Sequence, residues 1–261
     1  MLVKFIKNVS KGSRFNQVYI PKGMENLIEV GDEVEVRLVK KGVSLYYSKN
    51  LKKLSEFKES LIKGIFSFFI EKFDIVMVFA VGSFLTEKVN YNDIDLVLII
   101  DKKINNFEEI VYNKLIEKFN LKFHLLAIEE KKFLNLLKIC PLTMSMFSKF
   151  ICNKPFGIEK EKLIDKKHIK FLLMMPYDLL EIRLSSRSFF DCIRRLITIE
   201  RFLKGKALDT ENINSEIKNS MAEVIYRKIR DNEEIENNSI LTLRKIIKSK
   251  LDIIEKLLES N

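Results

Sequence analysis

The stretch IVMVFAVGSFLTEKVNYNDIDLVLII, residues 75–100, decides how this chain is read. An apolar run reaches Gly82-Ser83, nine residues follow, and Asp93-Ile94-Asp95 opens a second apolar run. Both runs are short and β-branched, which predicts strands over 75–81 and 93–100. Residues two apart on a strand face the same way, so Asp93 and Asp95 present paired carboxylates while Ile94 faces the opposite layer. Such a pair inside an apolar strand is costly unless a cation neutralises it. Mg²⁺ suits the position, since it prefers oxygen ligands and keeps places for water and substrate phosphates. Gly82 lets backbone N–H groups approach a phosphate and Ser83 adds a hydroxyl. Taken singly, Asp-x-Asp is a polar strand start and Gly-Ser an ordinary turn; the order strand, Gly-Ser, loop, Asp-x-Asp, strand favours a metal and phosphate site.

Outward from this stretch the pattern alternates. Leu54, Phe57, Leu61, Ile65 and Phe68 or Phe69 recur at helical spacing and predict a helix over 51–72. A helix over 106–119, a strand over 121–128 and a helix over 129–138 follow the second run, so the middle segment reads as an α/β layer with a helix-covered sheet. From Tyr177 onward the strand signal fades, and amphipathic helices are expected over 178–204, 211–230 and 239–259, packed as a small bundle.

At Gly82-Ser83 and Asp93-Ile94-Asp95 the chain resembles the nucleotidyltransferase superfamily that shares its fold with DNA polymerase beta, and within it the minimal nucleotidyltransferases. The resemblance spans about residues 51–155 and implies an α+β fold, a mixed sheet with flanking helices. It implies Asp93 and Asp95 as catalytic metal ligands for Mg²⁺, Gly82 and Ser83 as the turn that binds a nucleoside triphosphate such as ATP, and transfer of a nucleotidyl group to an acceptor with loss of pyrophosphate. Protein work in such a reaction is largely positioning and charge neutralisation. The chain departs from the family at the third carboxylate, expected on the next strand. Alignment by apolar alternation puts Lys122 there, and a shift of two puts His124 there. Lys122 could instead place an ammonium against the triphosphate. Glu129 and Glu130 are unaligned substitutes, and Asp101 lies six residues, roughly 20 Å, along the strand from Asp95. The loop also carries Glu87 and Lys88 where the family often has another glycine.

Residues 1–50 read as a small β-domain, with strands over 2–9, 17–20, 31–39 and 42–48. Tyr19-Ile20-Pro21-Lys22, a short helical turn from Met24 to Ile28 and Gly31-Asp32-Glu33-Val34-Glu35-Val36 resemble, in this order, the AbrB/MazE-type swapped-hairpin domain. That resemblance implies a homodimer, since one such unit is too small for much of a core. It also implies duplex-DNA binding through Lys4, Lys7, Lys11 and Arg14. The C-terminal part, 156–261, resembles the helical regions attached to minimal nucleotidyltransferases, including the HEPN type. The HEPN ribonuclease signature of Arg followed by His is missing there, the last histidine being His168. Arg183, Arg187, Arg194, Arg195 and Arg201 recur at helical spacing, as a solvated face does or as a substrate-facing row would.

Composition narrows the function classes. The 261 residues hold 46 Lys and Arg against 36 Asp and Glu, a formal charge of +10. Residues 1–53 contain 11 basic and 5 acidic residues, so most of the excess sits in the first fifth. Three cysteines, Cys140, Cys152 and Cys192, and two histidines provide neither a disulfide framework nor a structural zinc spacing. Neither apolar run approaches the ~20 residues of a membrane span. A cytoplasmic, dimeric nucleotidyltransferase is the leading expectation; the alternative is a DNA-binding, antitoxin-like regulator whose transferase fold only binds nucleotide.

Overall fold

A computed structural model describes residues 3–37, 42–87, 91–158, 161–182 and 184–260. Lys88, Arg183 and the ends of the strands expected over 2–9 and 31–39 lie outside the described residues. The chain divides into two compact units, Met1–Lys41 and Gly42–Asn261.

The small unit contains one short hairpin, β1 (Ser10–Lys11) paired antiparallel with β2 (Asn16–Gln17). Gly12 N–H donates to the Phe15 carbonyl at 2.9 Å and closes its tip. A 3-10 turn at Lys22–Met24 follows Pro21, where the short helical turn is expected. The strands expected over 2–9 and 31–39 are absent from the described residues of those segments, and the pairing near 17–20 is confined to Asn16–Gln17. Their apolar residues lie open, with Ile6 69% and Val36 71% exposed. An isolated unit this short cannot build the core that such strands need.

The larger unit holds both the sheet and the C-terminal helices. Its sheet contains β3 (Tyr46–Tyr47), β4 (Met77–Val81), β5 (Ile94–Ile100), β6 (Phe123–Glu129) and β7 (Ile151–Cys152), in the order β3-β7-β4-β5-β6. β5 and β6 are parallel and the other neighbours antiparallel, so the sheet is mixed. The parallel pair requires a crossover, made by helix α2 (Phe107–Phe119). β3, expected in the N-terminal β-domain, pairs instead with β7, a two-residue strand too short to announce itself in the sequence.

Both faces of the sheet are covered. Helix α1 (Glu56–Lys72) and α2 pack on Val78, Ala80, Ile94, Leu96, Leu98 and Ile100. Helices α3 (Glu130–Ile139) and α4 (Pro141–Met146) come after β6. Phe133 and Leu137 of α3, with Phe147 and Phe150, cover the other face, Phe79, Val81, Val97 and Ile99. Alternation along β4 and β5 thus sends successive side chains to opposite cores. On α1 the buried face is Lys58, Ile62, Ile65, Phe66 and Phe69, and Phe57, expected inside, is 67% exposed. Ser55 caps the helix by accepting the Lys58 N–H.

The C-terminal helices are α5 (Lys166–Glu181), α6 (Ser186–Leu203), α7 (Thr210–Asn219), α8 (Glu223–Arg230) and α9 (Asn237–Ser260). The helix expected over 178–204 is two helices, because Ser185 caps a new start by accepting the Ser188 N–H. Likewise 211–230 breaks into α7 and α8. Helix α5 carries Pro176, whose missing N–H deprives the Leu172 carbonyl of its helical donor, and Arg195 donates to that carbonyl at 3.2 Å. Arg201 donates to Ala207 O and pairs with Glu216, while Arg187 donates to Arg230 O. Arg187, Arg195 and Arg201 thus tie neighbouring segments of the helical region together. His168 sits within α5 and so inside the bundle, and its Nε2 is buried without a hydrogen-bond partner.

Candidate functional site: a Gly-Ser turn against paired carboxylates

The site is built where β4 ends and β5 begins. Antiparallel register places Val81 opposite Asp95, so the residue after Val81 must turn beside the Asp95 carboxylate. That residue is Gly82, at φ 77° and ψ −156°, a backbone region essentially reserved for glycine. The approach is as demanding as the torsion: a Cβ on Gly82 would lie 2.0 Å from Asp95 Oδ2. The carboxylate therefore rests against the glycine backbone.

After Gly82 the chain makes a 3-10 turn over Ser83–Leu85. Leu85 N–H donates to Gly82 O at 3.3 Å and Thr86 N–H to Ser83 O at 3.1 Å, and the Thr86 hydroxyl also donates to Ser83 O at 2.7 Å. Gly82 and Ser83 are exposed and Phe84 and Leu85 buried, which fastens the turn from below while its opening faces solvent. The first N–H groups of such a turn have no acceptor within it and form a ready cradle for an anion.

Asp93 and Asp95 are both partly buried, on either side of the fully buried Ile94. β5 itself begins at Ile94, whose N–H donates to Lys122 O at 3.0 Å. Burial raises the Asp95 pKa above its ordinary value; a hydrogen bond from His124 opposes the rise and the Asp93 charge adds to it.

Register also shows which residue of β6 stands beside Asp95. Parallel pairing puts His124 level with Asp95, and His124 Nδ1 lies 3.1 Å from Asp95 Oδ1. The imidazole is otherwise largely open, its side chain 75% exposed against 28% for Asp95. Lys122 precedes β6, is exposed, and meets β5 through its carbonyl. Glu129 pairs with Ile100, five residues along from the Asp95 pair, or about 17 Å at ~3.3 Å per residue, and forms an ion pair with Lys132. It cannot complete the site, and Asp101, beyond Ile100, is similarly remote.

The two carboxylates suit Mg²⁺ on their own chemistry. They are oxygen donors, mutually repelling and partly desolvated, and a divalent cation would relieve both costs. Among the described residues no group of three or more His, Cys, Asp or Glu could hold a metal ion. An ion here would therefore draw on Asp93, Asp95 and substrate oxygens. In the small unit Lys4 and Lys7 lie on the segment before the hairpin, Lys11 on β1 and Arg14 in the hairpin loop, all exposed. No described helix is long and apolar enough to cross a membrane.

No protein-family model and no curated protein matches the chain. Among solved structures it is similar to the spectinomycin adenyltransferase AAD(9) from Enterococcus faecialis, crystallised with ATP and spectinomycin. The identity is 14% and the TM-score 0.44, over 75% of this chain and 100% of that one.

Two expectations follow. Gly82→Ala should destabilise the larger unit by roughly 1–3 kcal/mol from backbone strain alone, measured by urea unfolding, with the clash against Asp95 adding to the loss. Asp95 is a carboxylate whose folded pKa lies above its unfolded one, so its protonated form favours folding and that contribution is lost as pH rises through the folded pKa. In metal-free buffer Asp95→Asn should therefore raise the melting temperature at pH 7 relative to the wild type, with the difference shrinking as pH falls through the raised Asp95 pKa and gone below about pH 4, the ordinary carboxylate value.

Proposed function

We propose that residues 42–261 carry a nucleotidyltransferase that uses a nucleoside triphosphate, ATP being the first candidate, and Mg²⁺. The observation that supports this most is the contact of the Asp95 carboxylate with the Gly82 backbone: a carboxylate able to hold a cation lies against a turn able to hold a phosphate. In this reading the Ser83 hydroxyl and the opening N–H groups of the Ser83–Leu85 turn bind the β- and γ-phosphates. Asp93 and Asp95 hold Mg²⁺, and His124 fixes the orientation of the Asp95 carboxylate. When bound, the ion would neutralise phosphate charge and lower the pKa of an oxygen coordinated to it. An acceptor oxygen forms a bond to the α-phosphorus while the bond to the bridging oxygen breaks, and pyrophosphate leaves in line.

One observation favours a second reading. Beside Asp95 the neighbouring strand offers an imidazole where the family has a carboxylate. A site so built could hold nucleotide with little transfer, as a regulator would. Titration with ATP and Mg²⁺, followed by a search for pyrophosphate release with hydroxyl acceptors, separates the two. A transferase releases pyrophosphate, and Asp93→Asn or Asp95→Asn lowers the rate at least ~100-fold, as removal of a group that stabilises transition-state charge does. Binding without release, lost in the same variants, identifies the regulator; no binding removes both.

For residues 1–41 we propose a homodimerising module, with duplex DNA as its ligand. Support comes from the open apolar residues, Ile6, Val9, Val18, Ile20, Val34 and Val36 among them, which a second copy would bury, and from the exposed basic residues Lys4, Lys7, Lys11 and Arg14. Sedimentation should show a dimer of the full chain and a monomer after removal of residues 1–41. Duplex binding should weaken with salt and in Lys11→Glu/Arg14→Glu.

A further inference from the structure

Lys58 is 7% exposed, the one buried lysine among the described residues. Its ammonium donates to the Phe84 carbonyl at 2.9 Å and to the Thr86 carbonyl at 2.8 Å. It also stands 5.1 Å from the centre of the Phe84 ring and 5.6 Å from that of Tyr91, and the two rings meet edge to face at 4.7 Å. One side chain on α1 thus grips both ends of the segment between the strands. The carbonyls belong to the Ser83–Leu85 turn and its exit; Tyr91 lies two residues before Asp93.

Burying an ammonium is costly, and its burial lowers the Lys58 pKa. Carbonyl acceptors and aromatic faces offset that cost only while the turn keeps its shape. The dependence runs both ways, so the turn is held by a group whose own burial depends on it. A leucine or methionine at this phase of α1 would fill the core and leave the two carbonyls without their lysine donor.

We propose that Lys58 is a positioning residue of the nucleotide site, holding the Ser83–Leu85 turn in register with Asp93 and Asp95. This rests on the reading of that site as a nucleotide site. Lys58 works from beneath the turn and has no contact with substrate in this role.

The test uses the full chain as wild type, Lys58→Met and Lys58→Arg. Binding is followed by titrating a fluorescent ATP analogue with Mg²⁺, and the turn by hydrogen exchange of peptides covering 83–87 and 91–95 without nucleotide. Lys58→Met should speed exchange in both peptides, leave α9 protected as in the wild type, and weaken nucleotide binding about tenfold or more, the scale of losing a charged hydrogen-bond donor. Lys58→Arg, which can still donate to both carbonyls, should recover most of the affinity and protection. Unchanged exchange or unchanged affinity in Lys58→Met, with the wild type binding, overturns the role of Lys58 and leaves the nucleotide reading intact. Exchange that spreads to α9 with no rescue by arginine also overturns it, since Lys58 would then serve the whole core. A wild type that binds no nucleotide overturns the reading of the site and this role with it, even where the turn loosens.

Discussion

Opposite Val81, on the neighbouring strand, stands Asp95, and everything proposed for the nucleotide site depends on that register. Hydrogen bonding between β4 and β5 fixes the carboxylate at the point where the chain must leave the sheet. Only a residue without a Cβ can make the exit there, because the space is filled by Asp95 Oδ2 and the backbone takes a positive φ. A shift of the register by one residue would turn Asp95 into the layer beneath α1 and bring Ile94 to the site face. Both cores resist this, since Ile94, Leu96, Leu98 and Ile100 fill one and Val97 and Ile99 the other. The apolar packing of the sheet and the placement of the acidic pair are one constraint.

The turn that follows is held from three sides: by Phe84 and Leu85 in the core, by its own hydrogen bonds, and by Lys58 from α1. Phe84, Leu85 and Lys58 hold it from the core side, which leaves Gly82 and Ser83 exposed. Preorganisation of this kind lowers the cost of binding a highly charged molecule. His124 adds a fourth restraint, on Asp95, and it is the strand register that brings the imidazole there.

Much of this was legible in the residues, and the gaps have physical causes. The alternation of helix and strand between 56 and 139 follows from periodic apolar burial, and the structure has these elements within a few residues of where that periodicity places them. Gly82-Ser83 and Asp93-Ile94-Asp95 could be read as a pair because spacing along two strands converts directly into proximity. Lys58 could not, since a lysine on an amphipathic helix reads as solvated and its carbonyl partners lie 26 and 28 residues away. Phe57 is the converse case: its aromatic character points inward, but the buried face of α1 runs through Lys58, Ile62, Ile65, Phe66 and Phe69 and leaves it outside. The choice between Lys122 and His124 depended on a parallel register, which no local pattern encodes. β7 consists of two residues, and its pairing with Tyr46–Tyr47 is a contact across more than a hundred positions. In residues 3–37 the expected strands have no partner within the unit, and alternation alone does not make a strand without one.

A structure of the full chain crystallised with Mg²⁺ and a non-hydrolysable ATP analogue tests the central claim most directly. The account predicts the triphosphate over the Ser83–Leu85 turn, with a cation bridging it to the carboxylates of Asp93 and Asp95. A triphosphate bound elsewhere, or a cation away from those carboxylates while the Gly82–Asp95 contact persists, would contradict it.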